Sequence, residues 1–176
     1  MELVEISDTY TDYMMSYFGN VMMDSKKFCR THTRKYLGIV FEIHGLKYFA
    51  PLSSPKKADY SADGTIRKSS VIVIRMEYSG VLLGSIKLNN MLPVPETEIT
   101  KYDVKDETDE QYKNLVLNEL SWIEKHTDMI LRSAKNLYNI KTNKKAGNTN
   151  QRFYNSIMPF LEAEQKCKEF IENTLL

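Results

Sequence analysis

Short apolar runs separated by turn residues dominate the first half of the chain. The segments Leu37–Ile43 and Leu46–Ala50 flank the dipeptide His44-Gly45, a pattern typical of a β-hairpin with a two-residue turn. The same pattern of apolar positions predicts further strands at Leu3–Ile6, Val71–Met76 and Val81–Leu88. Short strands joined by tight turns indicate a compact, highly curved antiparallel sheet, which is a small barrel or half-barrel.

The apolar period becomes helical in the second half of the chain. Over Thr108–Tyr138 apolar residues recur at alternating steps of three and four, which predicts one long amphipathic helix. Ser7 is placed to cap a helix that ends near Gly19, and Met158–Leu176 predicts a closing helix. Because no repeat or linker divides the chain, we expect residues 1–176 to form a single α+β domain with helices packed on the sheet.

The composition excludes several classes of protein. Hydrophobic residues make up 42% and charged residues 27%, with 7 Gly and 5 Pro, so the chain is globular rather than disordered. Apolar stretches such as Val71–Ile74 are too short to cross a bilayer. Cys29 and Cys167 lie far apart, and the three histidines lack the spacing of metal ligands. We therefore expect a reduced, cytoplasmic protein that uses no metal and no cofactor.

Charge is distributed in blocks along the chain. Lys and Arg number 24 against 23 Asp and Glu, a net charge of +1 that taken alone argues against a nucleic-acid-binding protein. However, basic residues are concentrated in Lys26–Tyr36, Ser54–Lys68 and Lys141–Arg152, whereas acidic residues are concentrated in Glu96–Glu110. The near-neutral total therefore hides separate acidic and basic segments.

The basic segments also contain aromatic, hydroxyl and amide side chains, among them Phe28, His32 and Tyr36. Runs of this kind are often no more than solvated loops. Single-stranded nucleic acid, by contrast, needs cations for its phosphates, aromatic faces for its bases and polar groups for the base edges. The distribution of charge thus favours RNA as a partner where the total charge does not.

The hairpin and the loop after it resemble a known family. Tyr36–Lys57 contains a glycine-bearing strand, a short hairpin and a Pro-Leu-Ser-Ser-Pro-Lys loop at Pro51–Lys56, and it closely resembles the ToxN/AbiQ family, which includes CptN-like proteins. Ile6–Tyr10, Leu83–Pro95 and the helix from Gln111 are also similar. The resemblance extends over most of the chain and weakens in its last segment.

This resemblance implies both a fold and a function. The family's proteins are endoribonuclease toxins of type III toxin–antitoxin systems, with a MazF/Kid-like barrel and added helices, and they cut messenger RNA without a metal. The resemblance further implies that the toxin processes its own repeat antitoxin RNA precursor and is inhibited by the pseudoknot product, in a closed ring of protein and RNA. Some members act in phage abortive infection.

Four residues are the expected catalytic groups. Metal-free cleavage uses the substrate's 2′-hydroxyl as nucleophile, so the enzyme must move protons and stabilise negative charge on phosphorus. Lys56 is expected to stabilise the phosphate, and its neighbour Lys57 can lower its pKa. By resemblance, Ser54 positions the phosphate or the 2′-hydroxyl, and Ser53 stands where relatives often have Thr. Tyr10 is a candidate proton donor or stacking platform.

Other residues are expected to bind RNA. Lys57 is one of these residues, and Tyr112 is a weaker aromatic candidate. Arg34 and Lys35 compete for a basic position just before the hairpin. The first and third basic segments are expected to hold antitoxin phosphates through Lys26, Lys27, Arg30, Lys144, Lys145 and Arg152.

Two alternative functions remain open from the sequence. One is a non-catalytic RNA-binding regulator with the same barrel. The other is a protein-interaction domain whose Lys- and Asn-rich loop binds an acidic partner.

Overall fold

One antiparallel sheet organises the molecule. The structure, a computed structural model, describes residues 1–19, 35–143 and 150–174. Within these residues the sheet has seven strands: β1 (Leu3–Ile6), β2 (Tyr36–Ile43), β3 (Leu46–Ser53), β4 (Val73–Tyr78), β5 (Val81–Lys87), β6 (Leu92–Pro93) and β7 (Ile99–Lys101). They are ordered β4-β5-β3-β2-β1-β7, and β6 pairs with β3 off this path.

Strand β3 curves the sheet because its outer edge changes partner. One edge pairs with β2, whereas the other pairs with β6 at Tyr48 and Phe49 and then with β5 at Leu52 and Ser53. A register shift in the β2–β3 ladder adds a bend. Between the described residues of β4 and β7, at the two ends of the order, no pairing closes the sheet. The predicted α+β class with a curved, open half-barrel is confirmed.

The predicted hairpin turn is also confirmed. His44 and Gly45 both have positive φ, 53° and 74°, as the two central residues of a type I′ turn require. Strand β3, however, continues to Ser53 through Pro51, which the sequence places in a loop. Pairing resumes directly after the proline, since the Leu52 N–H donates to the Lys35 carbonyl at 2.9 Å.

Five helices pack around the sheet in the described part of the chain: α1 (Asp8–Tyr17), α2 (Glu110–Lys125), α3 (Thr127–Thr142), α4 (Gln151–Asn155) and α5 (Phe160–Thr174). The prediction of one uninterrupted helix over Thr108–Tyr138 is wrong, because His126 leaves the helical conformation with φ −116° and ψ 14°. The Thr127 hydroxyl instead donates to the Ile123 carbonyl at 3.0 Å. Both helices keep the same apolar stripe, so the periodicity alone does not reveal the break.

The hydrophobic core lies between the sheet and helices α2, α3 and α5. Its largest buried side chains include Tyr48, Phe49, Ile86 and Phe160. Trp122 is half-buried at the edge of this cluster and stacks on His126 with ring centroids 3.8 Å apart. No helix among the described residues is both long and apolar enough to span a membrane.

Candidate active site

The Ser-Ser-Pro-Lys segment is an exposed loop at the end of β3. Ser53 is the last strand residue and is 6% exposed, and its hydroxyl donates to the Ser54 carbonyl at 3.2 Å. Ser54, Lys56 and Lys57 are all exposed. The loop therefore presents one hydroxyl and two ammonium groups to solvent, with the Ser53 side chain beneath them.

The buried carboxylate of Asp59 holds this loop in place through hydrogen bonds and an ion pair. It ends a short 3₁₀ turn over Lys57–Asp59, is 3% exposed, and accepts the Lys56 backbone N–H on Oδ2 at 3.0 Å. Its other oxygen, Oδ1, accepts from Arg75 Nε and Nη2, each at 3.1 Å. Arg75 also donates to the Lys68 carbonyl at 2.8 Å, so a single guanidinium holds both ends of the segment between β3 and β4.

The strands beneath the loop place four side chains on one face of the sheet. Ser53 pairs with Ser85, and Ser85 pairs with Arg75, so the three form one row across β3, β5 and β4. The adjacent row, Leu52, Ile86 and Ile74, points into the core. Because side chains alternate along a strand, the Ser53 row and Lys87, two residues after Ser85, lie on the loop side.

Sequence reasoning missed Asp59, Arg75 and Lys87 as parts of this site. Lys87 Nζ lies 4.0 Å from Asp59 Oδ1, and the Lys87 side chain is 16% exposed. Burial lowers the pKa of Lys87, as does the positive charge of Lys56, although Asp59 acts in the opposite direction. The alternation of side chains along β4 and β5 is the one sequence signal that places Arg75 and Lys87 on the polar face of the sheet.

The structure places Tyr10, a predicted catalytic residue, in the core and not beside this loop. Its side chain is fully buried, and its hydroxyl donates to the Pro93 carbonyl at 2.6 Å. The ring packs edge-on against Phe170 of α5 with centroids 5.0 Å apart, and burial raises the pKa of the phenol. A proton donor or stacking platform must reach the substrate, and Tyr10 instead joins α1 to the core.

Lys35, which the sequence predicts as a candidate RNA contact, is buried in the structure. The side chain is 6% exposed, forms an ion pair with Glu5 of β1, and lies over the Tyr102 ring at 3.8 Å. A buried ammonium group with these partners joins the start of β2 to β1 and to Tyr102. Of the two competing assignments, Arg34 lies outside the described residues.

The remaining predicted RNA contacts are spread over the molecule. Tyr112 lies in the first turns of α2, half-buried, and burial raises its pKa to about 12. Arg152 is exposed on α4. The other predicted phosphate contacts lie outside the described residues: Lys26, Lys27, Arg30, Lys144 and Lys145.

These side chains suit the chemistry of an anionic substrate. The loop carries two exposed lysines and an exposed serine, and a buried carboxylate holds it in place. The half-buried Lys87 lies near the same carboxylate. Within the described ranges, no cluster of three or more His, Cys, Asp or Glu side chains is placed to hold a metal ion. The arrangement offers cations and hydroxyls as its reactive groups.

Comparisons with known proteins agree over nearly the whole chain. A family model described as toxin ToxN of type III toxin–antitoxin systems matches residues 2–166. An endoribonuclease ToxN from Bacillus thuringiensis subsp. kurstaki is 28% identical over 170 residues, which cover 95% of this chain and 82% of that protein.

Two solved structures share the fold. One comes from work on selective inhibition of a type III toxin by a non-coding RNA pseudoknot; it has a TM-score of 0.84 and 26% identity, and the match covers 97% of this chain and 98% of that one. The other comes from work on a processed non-coding RNA that regulates a bacterial antiviral system, with a TM-score of 0.79, 27% identity and coverage of 96% and 98%. The chain therefore belongs to the ToxN family of toxins from type III toxin–antitoxin systems.

Proposed function

We propose that this chain is an endoribonuclease toxin that cleaves messenger RNA and its own repeat antitoxin precursor without a metal ion. The observation that carries the proposal is the exposed Ser54 and Lys56 on a loop fixed by Asp59. Its relative from Bacillus thuringiensis is an endoribonuclease, which supports the same activity here. Because messenger RNA is the substrate, we place the protein in the cytoplasm.

The proposed reaction is a transesterification within the RNA. The 2′-oxygen loses its proton and forms a bond to phosphorus, the bond from phosphorus to the 5′-oxygen breaks, and that oxygen takes up a proton. The products are a 2′,3′-cyclic phosphate and a 5′-hydroxyl. Lys56 stabilises the negative charge that builds on phosphorus, and the Ser54 and Ser53 hydroxyls orient the phosphate.

The proposed inhibitor is a pseudoknot RNA, as in the structural relative that a non-coding RNA pseudoknot inhibits. An antitoxin strand laid across the Ser53–Lys56 loop covers the cleavage site, so inhibition needs no conformational change. Assembly into a closed ring of protein and RNA is part of this proposal. A role in defence against phage follows the same line, since the second structural relative belongs to an antiviral system.

Purified Lys56→Ala tests the proposal against a matched control. Lys101 is an exposed lysine on β7, at the other end of the strand order, paired with Glu2 at 3.2 Å. In a chelator, wild type and Lys101→Ala should cut messenger RNA, whereas Lys56→Ala should be slower by about 10²–10³-fold with an unchanged unfolding midpoint. Full activity of Lys56→Ala would remove that residue from the site. Binding of RNA by wild type without any cutting would favour the non-catalytic regulator instead.

A further inference from the structure

The cations around Asp59 outnumber its single negative charge. Arg75 occupies Oδ1 through two nitrogens at 3.1 Å, and Lys87 Nζ approaches the same oxygen to 4.0 Å. Burial lowers the pKa of Lys87, and the positive charges of Lys56 and Arg75 lower it further, although Asp59 acts in the opposite direction. Arg75 and Lys87 thus share one carboxylate oxygen, which leaves one positive charge in excess at this end of the sheet.

This excess charge is partly removed from water. The exposed fraction is 16% for the Lys87 side chain, 13% for Arg75 and 4% for Asp59. Grouping like charges at such sites is unfavourable unless an anion compensates them. Within the described residues, Asp59 is the one carboxylate recorded in an ion pair with Arg75 or Lys87.

A second observation points to the same place. Ser85 lies between Ser53 and Arg75 in the row across three strands, and its hydroxyl is buried without a hydrogen-bond partner in the described part of the chain. Buried hydroxyls normally have a partner. The face that carries Ser53, Arg75 and Lys87 therefore has both positive charge and hydrogen-bonding capacity to spare.

We propose that Lys87 is a further catalytic residue, a second cation that contacts the scissile phosphate of RNA beside Lys56, while Asp59 and Arg75 are positioning residues. This inference rests on the proposed function and names a residue of the same site. Lys87 transfers no proton in this role; its charge stabilises the negative charge that builds on phosphorus when the 2′-oxygen attacks. Asp59 keeps Lys56 and Lys87 together by binding the backbone of the one and the side chain of the other.

The test measures binding, so it does not depend on the rate of the reaction. The cleavage site of wild type is mapped first, and a short RNA with that site is made uncleavable by a 2′-deoxy substitution. A second RNA carries an uncharged methylphosphonate at the scissile position. Both are titrated against wild type, Lys87→Met and Lys87→Arg, with thermal unfolding as the check on folding.

The two changes should not be additive if Lys87 touches that phosphate. We expect the methylphosphonate to weaken wild-type binding about tenfold and to weaken Lys87→Met binding by less, because only the Lys56 contact is then left to lose, while Lys87→Arg retains most of the affinity. Additive losses, or a Lys87→Met variant that binds and cuts like wild type, would overturn the inference and leave the proposed function standing. Wild type that cuts no RNA would overturn both.

Discussion

At the scale of single residues, Glu119 is a buried carboxyl outside the loop. It lies on α2, is 8% exposed, and its Oε1 would be 2.6 Å from a Cβ placed on Gly84 of β5. Burial raises the pKa of this carboxyl from 4.5 to about 8. Gly84 belongs to the core face of the sheet, and a Cβ placed on it would also be 3.1 Å from the Ser53 carbonyl oxygen, so Glu119 is buried beneath the end of β3.

The raised pKa makes stability depend on pH in a defined direction. The unfolded chain releases this proton near pH 4.5, whereas the folded protein keeps it to about pH 8. Between these two pH values the folded state binds more protons than the unfolded state. The free energy of unfolding therefore falls as the pH rises, by up to about 1.4 kcal/mol per pH unit from this group. Glu119→Gln should remove this dependence on pH. The free energy of unfolding of the variant minus that of wild type should therefore be about 3 kcal/mol larger at pH 7.5 than at pH 5.

Urea unfolding at the two pH values measures this effect. Glu124→Gln, an exposed neighbour on the same helix, is the control and should follow wild type. Equal pH slopes for Glu119→Gln and wild type would show that the carboxyl ionises normally in the folded protein.

The sequence predicts some single residues well and others not at all. The exposed Ser54 and Lys56 follow from a polar loop after an apolar strand. Tyr10 illustrates the limit, because a tyrosine in an amphipathic helix satisfies the pattern equally well facing solvent or facing Phe170. The contact between Asp59 and Arg75 depends on the register of β4 against β5, which a single sequence does not specify.

At the scale of secondary-structure elements, Ser7 connects α1 to the edge of the sheet. Its hydroxyl accepts the Tyr10 N–H at 3.1 Å as the helix cap and donates to Glu98, next to β7. Ser7→Ala should therefore lower the free energy of unfolding by about 1–2 kcal/mol, since both bonds are lost. Ser16, an exposed serine in the last turn of α1, is the matched control, and Ser16→Ala should change stability by less than about 0.5 kcal/mol. Equal midpoints for the two variants in a denaturant titration would contradict this role of Ser7.

The sequence predicts best those elements that depend on residues close together in the chain. The two-residue turn at His44-Gly45 and the cap at Ser7 each depend on residues within a few positions of one another. The break at His126 is different, because the apolar stripe continues from Ile123 to Ile130 on both sides of it. An unbroken apolar stripe of this length is equally consistent with one long helix and with two shorter helices.

At the scale of the whole molecule, the described second basic segment and the start of the acidic segment lie at different ends of the sheet. The basic loop and Lys87 lie at the β4–β5 end, whereas Glu96 and Glu98 precede β7 at the other end of the strand order. The net charge of +1 is therefore compatible with one cationic surface. That residues 1–176 form a single domain stays a prediction, which the continuous core supports.

Binding of RNA to this surface should weaken steeply with salt. Each phosphate neutralised on single-stranded RNA contributes about −0.7 to the slope of log K against log salt concentration. For an uncleavable RNA, Lys56→Ala should make the slope shallower by about that amount, and Lys101→Ala should leave it unchanged. Fluorescence anisotropy over a salt series gives the slopes, and a wild-type affinity independent of salt would rule out the cationic surface.

The chemistry of the RNA ends tests the central claim most directly. Wild-type protein is incubated with messenger RNA in excess chelator, and the ends of the fragments are identified. Attack by the 2′-hydroxyl predicts a 2′,3′-cyclic phosphate on one fragment and a 5′-hydroxyl on the other, with no cut where the attacking nucleotide is 2′-deoxy. Fragments that carry a 5′-phosphate and a 3′-hydroxyl, or cleavage that stops in the chelator, would contradict the account.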